Sequence, residues 1–480
     1  MRFRARIAFG SLIVVGVLAA SACGAATSVT SSDRSALPSS TSTTSTPQET
    51  PTEAALCSAA ASGTSASGSA ASGPGGSGST SSATGTGAYS QSGSSASKSD
   101  QTITAASANE SGVLVENTGE LALSGVTVTT SGSSTSSDDS SFYGLDAGVL
   151  ALTGSTITET GGSVTTSGNG ANAIFAYGSG SSVTTSGVAV SATGQYAHGV
   201  MASGGGTITA TDLTVSTAGA SSAAIATDRG GGTITVHEGT YRTSGMNSPA
   251  IYSTGSIAVT DATMAATGAE AAVIEGSNSI TVVDSKLTGT VNRGVMIYQS
   301  MSGDAQGQAG VFTDTDGSLT ALAGPIFYVT NTTATINLSG VTLAGSSGVL
   351  LDAAAGQWGS SGSNGGQATL NATCQTLSGA VDADSISSVA LNLTDGSSLT
   401  GSINSAGSAK SVTLSLDSSS RWNVTGTSYL TVLSDSAGIS GSSVTNIVGN
   451  GHSVYYSSSA NPSLDGKTYT LVGGGTLSPA

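Results

Sequence analysis

Apolar and polar residues alternate in short runs along this chain from about Gln101 onward. In "GVMASGGGTITATDLTVSTAG" (199–219), the run "TITATDLTV" alternates as a half-buried β-strand does. Glycines separate this run from "GVMA", a shorter apolar run that begins at Val200. The pattern predicts several short strands joined by turns, and no helical periodicity accompanies it.

The short apolar run recurs ten times and sets a repeat length. It begins at Val113, Val149, Ile174, Val200, Ile225, Ile251, Val273, Val295, Ile326 and Val349. Successive starts are 36, 25, 26, 25, 26, 22, 22, 31 and 23 residues apart. Three short strands in about 22–26 residues form one coil of a right-handed, single-stranded parallel β-helix, so the predicted fold is all-β. With a spacing of about 4.8 Å between coils, about 12–14 coils would make a rod of roughly 60–65 Å.

The recurring motifs carry a resemblance to a known class. "GVLA", "GVMA" and the turns of the form G-(S/G/T)-x-(V/I)-T resemble the adhesin-like parallel β-helix repeats of bacterial surface proteins, including autotransporter passengers and the pectin-lyase-like superfamily. The resemblance covers residues 101–480 and implies a fold and a surface location, but no single activity. We expect β-helix coils over 101–400, and terminal β coils with a cap over 401–480, where aromatic residues concentrate.

The N-terminus has the features of an export signal. "MRFRAR" is positively charged, "IAFGSLIVVGVLAA" is apolar, and "AASAC" ends in Cys23. This segment resembles a bacterial lipoprotein signal over residues 1–22, which implies a lipid on Cys23, membrane attachment through that lipid, and a place in the cell envelope, with the cell surface favoured. The alternative is ordinary export with cleavage near Ala22. Residues 23–100 are rich in Ser, Thr, Gly and Pro and are predicted to be a disordered tether.

Charge and cysteine content exclude several functions. The net charge is −16, so nucleic acid is not an expected partner. The three cysteines are Cys23, Cys57 and Cys374, and a structural disulfide between Cys57 and Cys374 is not expected. The three histidines lack paired spacing, so we predict no metal site. No motif indicates a cofactor.

A column of large residues follows the repeated apolar starts. If each start points into the coil, the next residue points outward. A rod with such a column would carry an apolar stripe able to bind a partner. The two alternatives are a reversed register, which would bury the column in the core, and a loop that covers it. The predicted stripe is Leu114, Leu150, Phe175, Met201, Tyr252, Ile274, Met296, Phe327 and Leu350, with Ala226 as a small member.

A few charged residues form the best candidates for catalysis. Counting from the apolar starts places Asp228 and Glu275 near one corner, two coils and about 10 Å apart. Two carboxylates beside a basic residue would suit cleavage of a glycan, whereas a solvated row of turns is the simpler interpretation. The full candidate set is Asp228, Arg229, Glu275 and Arg293, with Tyr298 and Asp304 nearby.

Three functions remain open on the sequence. The favoured one is a structural or adhesin-like rod that binds glycans or surface proteins through repeated side-chain ladders. The main alternative is a carbohydrate-active enzyme of the pectin-lyase-like type. A remote alternative is ice binding, suggested by Thr-x-Thr pairs such as Thr207/Thr209, but variable coil length argues against a flat lattice.

Overall fold

A computed structural model describes residues 85–480. It is an all-β parallel solenoid of about 16 turns, and helix accounts for 3% of it. The predicted fold class is therefore confirmed. The signal segment, Cys23 and most of the predicted tether lie outside the described residues.

Within residues 85–480 the regular structure consists of forty-three strands, two short 3-10 helices and one α-helix, α1 (Ser137–Tyr143). The first strands are β1 (Thr86–Ser92), β2 (Ser95–Ser99), β3 (Thr102–Ala105), β4 (Glu110–Glu116), β5 (Glu120–Ser124), β6 (Thr127–Thr130), β7 (Val149–Leu152), β8 (Thr156–Thr160), β9 (Ser163–Thr166), β10 (Ile174–Tyr177), β11 (Ser182–Ser186), β12 (Ala189–Ala192), β13 (Val200–Ser203), β14 (Gly206–Thr217), β15 (Ile225–Thr227), β16 (Gly232–Thr243), β17 (Ile251–Ser253), β18 (Ser256–Thr260), β19 (Thr263–Ala266), β20 (Ala272–Glu275), β21 (Ser279–Val283) and β22 (Lys286–Gly289). The others are β23 (Val295–Tyr298), β24 (Ala309–Thr315), β25 (Ser318–Ala321), β26 (Phe327–Thr330), β27 (Thr333–Ser339), β28 (Thr342–Gly345), β29 (Val349–Ala353), β30 (Gln367–Thr373), β31 (Thr376–Ser378), β32 (Ala380–Ala383), β33 (Ser388–Thr394), β34 (Ser398–Gly401), β35 (Ser411–Leu416), β36 (Arg421–Val424), β37 (Ser428–Leu430), β38 (Val432–Ser434), β39 (Ile439–Ser440), β40 (Ser443–Val448), β41 (Val454–Tyr456), β42 (Tyr469–Val472) and β43 (Thr476–Pro479).

The first sheet, sheet A, contains the repeated apolar runs. Its 12 strands follow the order β1-β4-β7-β10-β13-β15-β17-β20-β23-β26-β29-β32, and neighbours pair in parallel. Consecutive coils stack in register, as when Ile174 lies beside Val200 and Phe175 beside Met201. Each sheet A strand therefore adds one layer to the rod.

The second sheet, sheet B, forms two further walls of the coil. One wall is the ladder from β2 through β5, β8 and β11 to β38, and the other runs from β3 through β6, β9 and β12 to β28. Strands β14 and β16 belong to both walls because they continue across the corner between them. At that corner Gly239 has φ 99°, and a Cβ there would lie 2.4 Å from the carbonyl oxygen of Leu213, so only glycine fits.

The interior is filled by alternate residues of all the walls. In β14, Ile208, Ala210, Leu213 and Val215 are buried while Thr209 and Thr214 are exposed. Single coils contribute only a few small apolar side chains, and stacking joins them into one continuous core.

The C-terminal end of the solenoid departs from the parallel stacking of sheets A and B. A nine-stranded third sheet contains an antiparallel pair, β42 with β43, which follows two short 3-10 helices, Ser458–Ala460 and Pro462–Leu464. Trp422 is fully buried and its indole N–H donates to the carbonyl oxygen of Gly401 at 2.9 Å. The aromatic residues that concentrate here therefore pack the last coils.

Three insertions explain the variable repeat length, and all of them flank sheet A. The segment 131–148, which contains α1, precedes β7; residues 299–308 follow β23; and residues 354–366 follow β29. Ser136 is the N-cap of helix α1, and its hydroxyl accepts the Asp139 N–H at 3.1 Å. Gly144, with φ 75°, is the C-cap. None of the three interrupts a described strand of sheet B, so its coils stay in register despite their unequal lengths.

Three features differ from the sequence prediction. The first coil begins at Thr86, inside the range assigned to the tether, because β1 and β2 are built mainly from Ser, Thr, Gly and Ala and give little apolar signal. Cys374 is disulfide-bonded, which the sequence analysis did not predict. The solenoid is also longer than the predicted 12–14 coils.

Candidate functional site

The predicted apolar stripe is on the outside of sheet A in the first coils, but it is covered. Leu114, Leu150, Phe175, Met201 and Ala226 form a cluster separate from the core, and each is at most 4% exposed. The α1 segment provides the cover: a Cβ on its Gly144 would lie 2.5 Å from Leu150 and 3.0 Å from Phe175. The prediction of an exposed binding stripe is therefore wrong, and the covering-loop alternative describes these coils.

The register assigned to three of the later coils, those of Ile274, Phe327 and Leu350, is also wrong by one residue. Tyr252 lies beside Val273, and Met296 lies beside Tyr328, so these four residues form the outer column. Ile274, Phe327 and Leu350, assigned to the stripe, belong instead to the interior core. At Ile274 the cause is Ala272, a small residue at the inward position, which left Val273 as the apparent start of its apolar run.

The carboxylate candidates Asp228 and Glu275 lie on one outward row. Ala226 pairs beside Tyr252, and Tyr252 beside Val273, so Asp228 and Glu275, each two residues further on, are two coils apart. Their surroundings are unlike a solvated turn. Glu275 is 2% exposed and Asp228 is half-buried.

Glu275 is held by four hydroxyl groups. Tyr252 and Tyr298 donate to its Oε2 at 2.5 and 2.8 Å. Ser300 donates to Oε1, and Ser302 donates to the same oxygen at 3.5 Å. Burial and the Glu275 charge raise the pKa of both tyrosines, so these hydroxyls remain donors. Both serines belong to the 299–308 insertion, so Glu275 fastens that insertion to sheet A.

Asp304 and Arg229 fasten the insertion at a second point. The guanidinium of Arg229 donates to Asp304 Oδ1 at 2.6 Å, and its other side lies 3.7 Å from the ring centre of Phe142 in α1. Burial raises the pKa of the adjacent Asp228 to about 7, and the charges of Asp304 and Glu275 act in the same direction. Arg229 therefore lies between the two covering segments.

Arg293 belongs to a different group. It pairs with Glu270 at 2.9 Å and lies 4.3 Å from the ring centre of Tyr328. Sequence reasoning missed Asp352 and Asp382, which are register neighbours further along this outer row. Burial raises the pKa of both, and Asp382 adds to the effect on Asp352. Aligning "LLDA" with "AVDA" would have shown the pair.

This arrangement offers little to a catalytic reaction. A carboxylate that attacks or protonates a glycan must reach the substrate, and Glu275 is closed off by its own hydrogen bonds. Within residues 85–480, no three His, Cys, Asp or Glu side chains come together as a possible metal site. We therefore interpret the Asp228–Glu275 region as the anchor of a covering segment.

The outer side of the sheet B ladder that runs from β2 to β38 is a long accessible surface, which we call the long polar face. Its outward side chains form three columns along the rod, mostly threonine, serine and asparagine. The central column is Ser97, Ala122, Thr158, Thr184, Thr209, Thr235, Ala258, Thr281, Thr313, Asn337, Asn371, Asn392 and Ser415.

Side chains of neighbouring coils bond to one another on this face. Ser182 donates to Thr156 at 3.3 Å, and Asn371 donates its amide N–H to Asn337 at 2.8 Å. The three columns contain one carboxylate, Glu120, and one imidazole, His237. The exposed large apolar residues of the described chain lie elsewhere. The face is thus regular, polar and almost uncharged.

Comparisons with known proteins add no assignment: no family model, no curated protein and no solved structure matches this chain. Between residues 85 and 480, no helix has the length and apolar character needed to cross a membrane.

Proposed function

We propose that this chain is an adhesin-like rod of the bacterial cell envelope that binds glycans through its long polar face. The observation that carries the proposal is the set of columns on sheet B in which most side chains carry hydroxyl or amide groups. Such groups both donate and accept hydrogen bonds, as sugar hydroxyls do. Attachment through a lipid on Cys23 would leave the solenoid free to meet its ligand.

A glycan suits this face better than a protein partner. Protein interfaces usually centre on buried aromatic or apolar anchors. The apolar column that could have served is covered by α1 and the insertions. A polymer with repeated hydroxyl groups needs no such anchor, because it can contact many equivalent positions along the columns.

The binding test uses the full chain on an array of polysaccharides. The variant Thr281→Arg/Thr313→Arg places bulk and charge in the central column at two neighbouring coils. Its matched control, Thr288→Arg/Thr320→Arg, makes the same change on the other wall of the same coils. We expect binding by the unmodified chain, a loss of tenfold or more in the first variant, and less than twofold in the control.

Absence of glycan binding by the unmodified chain, or equal losses in the two variants, would refute the proposal. Anchoring is tested separately by fractionating cells that express the chain. Cys23→Ser should move the protein from the membrane fraction to the soluble fraction, whereas Cys57→Ser should not.

Ice binding is a second candidate, favoured by one observation. The objection from coil length does not hold for sheet B, because the insertions lie outside it and the threonines of β8, β14 and β16 stay in register. Rows of threonine on a rigid flat sheet can order water. Thermal hysteresis and inhibition of ice recrystallisation by the full chain, lost in Thr158→Glu/Thr209→Glu, would support this function, and normal ice growth would remove it.

A further inference from the structure

A shallow groove interrupts the long polar face over three coils. It has a volume of about 120 Å³ and is lined by the outward residues Thr313, Thr315, Asn337, Ser339, Asn371 and Thr373. The inward residues Asp314 and Leu338 lie at its floor. We call it the amide groove, because asparagine replaces threonine here in the central column.

The asparagine side chains form a directed chain of hydrogen bonds. Asn392 donates to Asn371 at 2.8 Å, Asn371 donates to Asn337 at 2.8 Å, and Asn337 donates to the hydroxyl of Thr313 at 3.2 Å. Each bond fixes the orientation of an amide plane. Because a primary amide has two N–H donors and two acceptor lone pairs, Asn337 and Asn371 each keep one N–H and one lone pair for a ligand.

The free N–H and lone pair recur once per coil at Asn337 and Asn371, in the direction of the rod axis. Neighbouring coils are about 4.8 Å apart, so the free donor and acceptor of one amide are followed by those of the next at the same interval. The amides are already ordered by their mutual bonds and by the strands that carry them. Binding would therefore cost little further side-chain entropy.

We propose that the amide groove binds a single chain of a neutral polysaccharide that runs along the rod axis. The inference rests on the proposed function and locates its principal site. Hydroxyl groups can accept from each free N–H and donate to each free amide oxygen. Carboxylate or phosphate groups could only accept, and the net charge of −16 opposes their approach.

The dimensions favour an extended polymer over a small ligand. Pockets that enclose a small molecule usually have volumes of about 300–1,000 Å³. The amide groove is smaller and open, so it can hold part of a chain that continues over the adjacent columns. Affinity would come from several equivalent contacts and would rise with the length of the glycan.

The test replaces the amides without changing the fold of the column. Asn337→Thr/Asn371→Thr/Asn392→Thr gives the two asparagines of the groove, and the Asn392 that donates to Asn371, the residue that the same column holds at Thr158, Thr184 and Thr209. The matched control, Thr158→Ala/Thr184→Ala/Thr209→Ala, alters three coils of that column away from the groove. Affinity of the full chain is measured for soluble neutral glucans and mannans of increasing length, with an anionic polysaccharide as comparison, after thermal melts verify folding.

We expect the asparagine variant to lose tenfold or more in affinity for a neutral glycan and the control to stay within twofold. Loss in the control alone, or equal losses, would overturn the assignment to the amide groove while leaving glycan binding intact. Preference for the anionic polysaccharide would overturn the ligand class. Binding to no glycan by the unmodified chain would refute the proposed function itself.

Discussion

Three carboxyl groups lie inside the protein without the partners that a buried charge needs. Asp146, Glu159 and Asp314 are at most 1% exposed, and each has at least one carboxyl oxygen with no hydrogen bond. Burial raises the pKa of each to about 7. At mildly acidic pH they are neutral in the native state, which lowers the cost of burying them.

The raised pKa values predict that stability falls as pH rises. In the unfolded chain these groups ionise near pH 4, roughly their model-peptide values. Between pH 4 and about 7 the native state therefore holds more protons than the unfolded chain. The stabilisation that these groups contribute is full below pH 4, decreases up to about pH 7, and is constant above that pH. Buried His198, whose pKa is lowered to about 4, acts in the opposite direction over part of that range.

Substitution of Asp314 isolates one of these contributions. Its column neighbours are Val282 and Leu338, so Asp314→Val fits the core. The stability gained over the unmodified chain should grow between pH 4 and 7 and then level off, as measured by urea unfolding across pH. Asp314→Asn, which keeps an unpaired polar group but cannot ionise, should remove the part of the pH dependence that Asp314 contributes, with a smaller gain in stability. A pH-independent difference for Asp314→Val would contradict the buried-charge explanation.

At the scale of elements, the covering segments divide the surface into a closed side and an open side. The α1 segment and residues 299–308 hide the apolar column of sheet A, and Arg229 lies between them, in contact with Phe142 and Asp304. In the described part of the chain, no segment covers the long polar face of sheet B in this way. The accessible chemistry of the rod is therefore that of its hydroxyl and amide columns.

Removal of the Glu275 carboxylate should release the 299–308 insertion. Glu275→Ala leaves the hydroxyls of Tyr252, Tyr298 and Ser300 without their acceptor, and we expect a loss of about 1–3 kcal/mol in stability. Hydrogen exchange of residues 299–308 should increase. Glu120→Ala, at an exposed glutamate, is the control and should change stability by less than about 0.5 kcal/mol. Unchanged exchange, together with loss of a polysaccharide-cleaving activity, would instead indicate catalysis by Glu275.

The sequence predicted the periodic parts of the molecule and not the parts that break the period. Repeated apolar starts and Thr-x-Thr pairs suffice to predict stacked coils, because each coil obeys the same alternation. The register failed at Ala272, where a small inward residue resembles an outward one. The contacts of Glu275 could not be predicted, since Ser300 reaches it from an insertion whose path no periodicity describes.

Across the whole molecule, each coil is stabilised mainly by its two neighbours. Parallel pairing continues through twelve strands of sheet A, and one core cluster extends from Val113 to Leu477. Solenoids of this kind tolerate the loss of a complete repeat if the remaining coils can stack. The alternation of inward and outward side chains makes the length of the deletion critical.

Deletion of one whole coil should therefore leave a folded protein. Ser182 and Thr207 are register neighbours, so removal of 183–207 joins Ser182 to Ile208 in phase. Removal of 183–206 is one residue shorter and would reverse the facing of every following residue in the strand. We expect β-sheet circular dichroism and a cooperative melt for the first deletion, and aggregation or loss of the melt for the second. Equal behaviour of the two deletions would contradict the assigned register.

The position of the three insertions shows that segments beside sheet A can change in length while the sheet B columns keep their spacing. The three insertions all lie beside sheet A, so the residues that they add alter one flank of the rod and leave the spacing of the sheet B columns untouched. Lineages could diversify that flank, or an experimenter could graft a peptide into residues 354–366, without shifting the period at which the polar face meets a polymer. The fold thus keeps a fixed spacing between the columns of the long polar face while the segments beside sheet A can change.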